Sequence, residues 1–101
     1  MARIRIVWTS QAKDDLREIR RFIARDAPRT ALAFVWRLRV AVDRLADFPE
    51  SGRVVPEIVK PEIRELIQGD YRIIYRQRME RVEILTVFHG ARLLRGEDLR
   101  R

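Results

Sequence analysis

Cysteine is absent from the 101 residues, which excludes a disulfide framework and any thiolate metal site. A single histidine, His89, excludes a multi-histidine metal centre, so no metal and no cofactor is expected. Ser-His-Asp, GxSxG, P-loop and GxGxxG patterns are all missing. Apolar runs are far too short to span a bilayer, and no signal-peptide pattern opens the chain. Those absences point to a soluble cytoplasmic protein with no membrane partner. Repeats, low-complexity tracts and linkers are also lacking, so residues 1–101 read as one domain. Lysine is scarce: Lys13 and Lys60 are the only two among 22 basic residues.

Positive charge is abundant. The 22 basic residues outweigh 15 acidic ones, giving +7. Such a balance draws nucleic acid or an acidic protein. Arginine in place of lysine favours planar, bidentate contacts to phosphate or carboxylate, although a GC-rich genome produces the same bias.

Periodicity supplies the elements. Arg3 to Trp8 alternates and is β-branched, reading as a short strand. Thr9 and Ser10 offer N-cap hydroxyls, and Asp14 and Asp15 follow where a helix dipole favours negative charge. Ala12, Leu16, Ile19 and Ile23 recur at helical spacing. Asp14–Arg17 and Glu18–Arg21 are spaced to pair on the opposite face. Pro28 suits the first turn of a second helix, whose Phe34, Leu38, Ala41, Leu45 and Phe48 form one apolar face flanked by Val35 and Val42. Pro49 and Gly52 end it. Prolines 56 and 61 argue against a central strand between them. Glu62 to Gln68, Tyr71 to Gln77 and Val82 to His89 then read as three strands of an antiparallel meander. The expected fold is α+β, in the order β-α-α-β-β-β, with a helical hairpin on one face of a small, mostly antiparallel sheet.

Alternation also sorts the faces. Tyr71, Ile73 and Tyr75 fit the helix side, because a buried arginine needs a paired carboxylate. Assigning Val82, Ile84 and Phe88 to the same side leaves Arg72, Ile74, Arg76, Glu83, Leu85, Val87 and His89 on the other. That face is an apolar strip with charged edges, as partner-binding surfaces are, unless a loop or the C-terminal tail covers it. Arg72, Ile74, Arg76, Leu85, Val87, His89 and Arg92 are therefore the candidate partner-binding residues. Arg72, His89 and Arg92 are also candidates for RNA cleavage, with arginines stabilising a pentacoordinate phosphate and His89 moving protons. Two features argue against that chemistry: no tyrosine follows Tyr75, and stacking aromatics are missing from this face. On this assignment Arg72→Ala and Arg92→Ala should leave the fold intact.

Three segments together carry a family resemblance: "WTSQAKDDLREIRRFI", "LADFPESGR" and "IRELIQGDYRIIYR" followed by "VEILTVFHGAR". The chain resembles the ParE/RelE superfamily of type II toxin–antitoxin toxins, nearer its ParE branch. The resemblance implies a helical hairpin against a small, largely antiparallel sheet. In the ribosome-dependent RNase branch, the arginine of the YR motif falls on Arg72 and the arginine after the last strand on Arg92. That branch's two lysines fall on Ile63 and Glu65, and its C-terminal tyrosine near Asp98, so most of the set is lost. The ParE branch poisons DNA gyrase and lacks that set. The resemblance further implies a cognate antitoxin, acidic where it binds, that wraps a helix and strand around the toxin and represses its own operon. Three readings follow: a gyrase inhibitor, an mRNA interferase, or a non-toxic antitoxin-binding module.

Overall fold

In a computed structural model, residues 3–91 are described. Strand β1 (Arg5–Trp8) leads into helix α1 (Ser10–Ala24), and helix α2 (Pro28–Asp43) runs on into a short 3-10 turn, Arg44–Ala46. Four further strands complete the chain: β2 (Arg53–Val54), β3 (Ile63–Gln68), β4 (Tyr71–Gln77) and β5 (Arg81–His89). The sheet order is β1-β5-β4-β3-β2, with β1 parallel to β5 and every other pair antiparallel. This is the α+β arrangement expected, with one addition: β2 is a two-residue edge strand just before Pro56, where a longer strand could not continue.

The helices form where their apolar stripes demand. Thr9 is the N-cap of α1, its hydroxyl accepting from Ala12 N at 3.2 Å. Asp14 and Asp15 lie beyond the first turn and act locally: Asp14 pairs with Arg17 at 2.8 Å. Pro28 occupies the first turn of α2. One core lies between hairpin and sheet, built from Ala12, Leu16, Leu38, Val42 and Leu45 against Ile73, Tyr75, Val82, Ile84 and Val87. Tyr71, Ile73 and Tyr75 thus face the helices as their alternation implies. Phe48 departs from its expected place on the buried stripe and stands 61% exposed.

Beneath the helices Tyr75 ties the chain together. Its hydroxyl donates to Pro49 O at 2.8 Å and accepts from Gly52 N at 3.0 Å. A Cβ at Gly52 would sit 2.6 Å from both Glu65 O and the Tyr75 oxygen, so glycine alone fits there. Burial pushes the Tyr75 phenol up, against the opposing pull of the Gly52 amide.

The second face of the sheet is closed as well. Val55, Ile63, Ile74, Leu85 and Phe88 form a second buried cluster, with Ile58 against it. Residues 55–62 therefore lie as a strap over the face that alternation leaves open.

Candidate functional site

A register shift in β5 rearranges the expected faces. Ile74 pairs with Thr86 and Tyr75 with Ile84, so Leu85 has no partner in β4 and forms a bulge. Past the bulge Val87, Phe88 and His89 change side relative to simple alternation. Val87 pairs with Ile73 in the helix-side core, and Phe88 pairs with Arg72 on the strap side. Both placements reverse the expectation. His89 pairs with Tyr71, the rings meeting edge-on at 5.7 Å, and so sits at the helix-side end of the strand. Two groups of α1 hold the bulge. The Thr9 hydroxyl donates to Ile84 O (2.8 Å) and Leu85 O (3.1 Å), while Asp15 accepts from the Thr86 hydroxyl and from Val87 N at 3.0 Å.

Arg72 is a buried residue, 6% exposed, rather than a rim residue of an open face. Its Nε donates to Glu65 Oε1 at 2.6 Å, while Nη1 and Nη2 donate to the two oxygens of Glu57 at 2.7 and 2.9 Å. The ring of Phe88 lies beneath the guanidinium, 5.3 Å away. Glu65 also accepts from Arg53 Nε, so its carboxylate joins two cations. The Glu57 hydrogen bonds, outweighing the effect of burial, raise the Arg72 pKa further above its ordinary value, assisted by Glu65. Its charge is permanent and its hydrogen-bonding fork is in use.

The other candidates divide. Ile74 and Leu85 lie on the strap side but are buried under it rather than displayed. Arg76 is half-buried and pairs with Glu83 at 3.5 Å; Glu83 also meets Arg78 at 3.5 Å and Arg81 at 2.9 Å. His89 is exposed, and its Nδ1 accepts from Ala91 N at 3.1 Å, which leaves Nε2 to carry the proton when the ring is neutral. Arg92 lies outside the described residues. Arg72 and His89 do meet at one place: both line a cleft of about 570 Å³, together with Arg53, Glu57 and Tyr71. Glu57 and Glu65 were the residues sequence reasoning missed. Glu65 had a signal, since it shares a strand face with Ile67, the register partner of Arg72, and is its diagonal neighbour.

A second surface lies on the hairpin. Leu32, Trp36 and Val40 recur at successive helical turns of α2 and stand 64%, 67% and 41% exposed. Beside them a groove of about 420 Å³ has an apolar floor of Trp8, Leu16, Leu32 and Val35 and walls of Lys13, Arg17, Arg20 and Arg39. Among the described residues no carboxylate lines it. Among the described residues no group of histidine and acidic side chains could hold a metal, and no helix is long and apolar enough to cross a membrane.

Residues 6–94 match the family described as "ParE toxin of type II toxin-antitoxin system, parDE". The chain belongs to this family. Among its relatives, Y4kP of Sinorhizobium fredii (strain NBRC 101917 / NGR234) is 46% identical over 91 residues, covering 89% of this chain and 92% of that protein. Toxin RelE2 of Caulobacter vibrioides (strain ATCC 19089 / CIP 103742 / CB 15) is 37% identical over 89 residues, 87% of this chain and 97% of that one. In three dimensions the ParE-family chain is similar to a protein of the chromosomal ParDE system from P. aeruginosa, with a TM-score of 0.73 and 24% identity over 85% of this chain and 95% of that one. A chain of the toxin–antitoxin complex RelBE2 from Mycobacterium tuberculosis gives 0.60 and 23%, covering 91% and 97%. At these identities the two structures speak for the fold, and that fold is the one derived above.

Proposed function

We propose that this type II toxin inhibits DNA gyrase by binding, without chemistry of its own, and is neutralised by a cognate acidic antitoxin. The observation that carries the reading is the state of Arg72. Stabilising a phosphorane at a cleaved RNA needs cationic groups free to meet it. Here the guanidinium is engaged by Glu57 and Glu65. Of the two positions that resemblance pairs with RNase lysines, Ile63 is buried and apolar, and Glu65 is buried and anionic. The set is thus neutral at one position and reversed in charge at the other where an RNase requires cations.

Support for the antitoxin comes from the hairpin surface. Four cations around an apolar floor suit a partner that is both acidic and amphipathic. Trp36, large and exposed, is the side chain best suited to anchor such a contact. The compartment assigned by this reading is the cytoplasm, where gyrase acts.

The test is a pair of assays on the purified chain. Incubation with gyrase, ATP and plasmid should accumulate cleaved DNA, and addition of antitoxin should abolish it. Addition to translating ribosomes should leave mRNA intact. Codon-positioned mRNA cuts would instead assign Arg72, His89 and Arg92 to an RNase, and inactivity in both assays would leave an antitoxin-binding module of a repressor complex.

A further inference from the structure

Glu57 sits on the strap rather than on a strand. The backbone of this segment joins the sheet at its two ends, where Val55 N donates to Ile63 O and Gln77 N to Glu62 O; between them Ile58 N and Val59 N both donate to Val55 O, and Ile63 N to Lys60 O. Val59 is held at φ 55°, a left-handed conformation that a β-branched residue adopts only at a cost. Val55 and Ile58 seat the strap on the sheet through apolar contact. Across the remaining gap, Glu57 presents both carboxylate oxygens to the outer edge of the Arg72 guanidinium.

The two carboxylates on Arg72 are unequal. Glu65 has a side chain with no exposure, fixed on β3 between two arginines. Glu57 is 19% exposed at its side chain and reaches Arg72 from the cleft side, where Arg53 adds a second positive charge. A carboxylate accepting two parallel N–H bonds has the geometry of two phosphate oxygens on the same fork. Two oxygens of a phosphate could replace those of Glu57 with the fork unmoved.

We propose that the Arg72 cleft is an oxyanion site plugged from within by Glu57, and that a phosphate group entering the cleft displaces this carboxylate. Neutralisation by Glu57 sets the affinity low at rest, because an incoming anion must break a bidentate pair. The proposed function survives such displacement, because buried Ile63 and anionic Glu65 supply no further cation beside Arg72 whether or not Glu57 has left.

The experiment titrates inorganic phosphate into the full chain at constant ionic strength, following by NMR the Arg72 Nε–Hε resonance and the backbone amides of Tyr71, His89 and Gly90 in the cleft, which stay readable when Arg72 is replaced. Wild type should show weak, saturable shifts at Arg72, and Glu57→Gln should bind at least tenfold tighter. Adding Arg72→Lys to Glu57→Gln should remove that gain, since an ammonium lacks the fork. Repeating the titration with a dinucleotide, with and without a 5′ phosphate, separates a terminal phosphate from a backbone diester as the entering group. Equal phosphate affinity for wild type and Glu57→Gln overturns the proposal and makes Glu57 a structural latch. So does a gain that survives Arg72→Lys, which would be diffuse attraction to a +7 chain. Should Arg72→Lys fail to fold, a Glu57→Gln gain without a shift at the Arg72 resonance has the same overturning force.

Discussion

Glu65 and Arg72, from neighbouring strands, meet at 2.6 Å inside the protein, with 0% and 8% of their side chains exposed. Removing one partner of such a pair leaves the other charged and buried. Glu65→Ala or Arg72→Ala should therefore cost about 3–5 kcal/mol, read as a lowered urea midpoint. This reverses the expectation that Arg72→Ala leaves the fold intact. A loss under about 1 kcal/mol, the value of an exposed pair, would show that water reaches the site.

Asp15 bridges α1 and the bulged segment of β5. Hydrogen bonds to a charged acceptor are worth about 1.5–3 kcal/mol each, so Asp15→Ala should destabilise by at least that amount. Amide exchange should speed up at Val87, whose N–H loses its acceptor. Unchanged protection at Val87 would mean the bulge is held by Thr9 alone.

Leu38 and Trp36, two residues apart on α2, should behave oppositely. Leu38 is fully buried, and Leu38→Ala should cost about 2–5 kcal/mol in chemical denaturation. Trp36 is 67% exposed, and Trp36→Ala should change stability by less than about 0.5 kcal/mol. Its effect should be read in antitoxin affinity by calorimetry. A large stability loss at Trp36 would show that this side chain supports the fold.

Glu83 predicts an acid limb. Burial works to raise its carboxyl, but the hydrogen bond from Arg81 and the charges of Arg81, Arg78 and Arg76 outweigh burial and hold it below its ordinary value of 4.5. A depressed folded-state pKa stabilises above the unfolded value and loses that contribution as pH falls through the folded one. Thermal melts of wild type should thus decline as pH drops below about 4.5, and Glu83→Gln should decline less steeply. Parallel profiles would remove Glu83 from the account.

Much of the architecture was legible because its causes are local. Thr9 before a helical stripe, Pro28 in a first turn and alternation from Tyr71 to Tyr75 all act within a few residues. The bulge at Leu85 was not legible. It depends on Thr9 and Asp15, some seventy positions earlier, meeting β5 in space. Without it, Val87, Phe88 and His89 fall on the wrong sides, and the candidate site with them. Exposure of Phe48 has a similar origin: its spacing continues the stripe, but α2 has by then given way to a 3-10 turn.

The sequence by itself determined the two helices, four of the five strands and their order, the direction of the Tyr71–Tyr75 face and the net positive charge. Periodicity and composition are properties of neighbours along the chain, so they survive being read in one dimension. Tertiary structure alone decided the fate of Arg72. An arginine on a strand is a binding group or a buried ion depending on what reaches it, and Glu57 and Glu65 reach it from 15 and 7 residues away. Burying that guanidinium without them would leave a charge stripped of water and unpaired, so the strap and its carboxylate settle together what this face of the sheet can do.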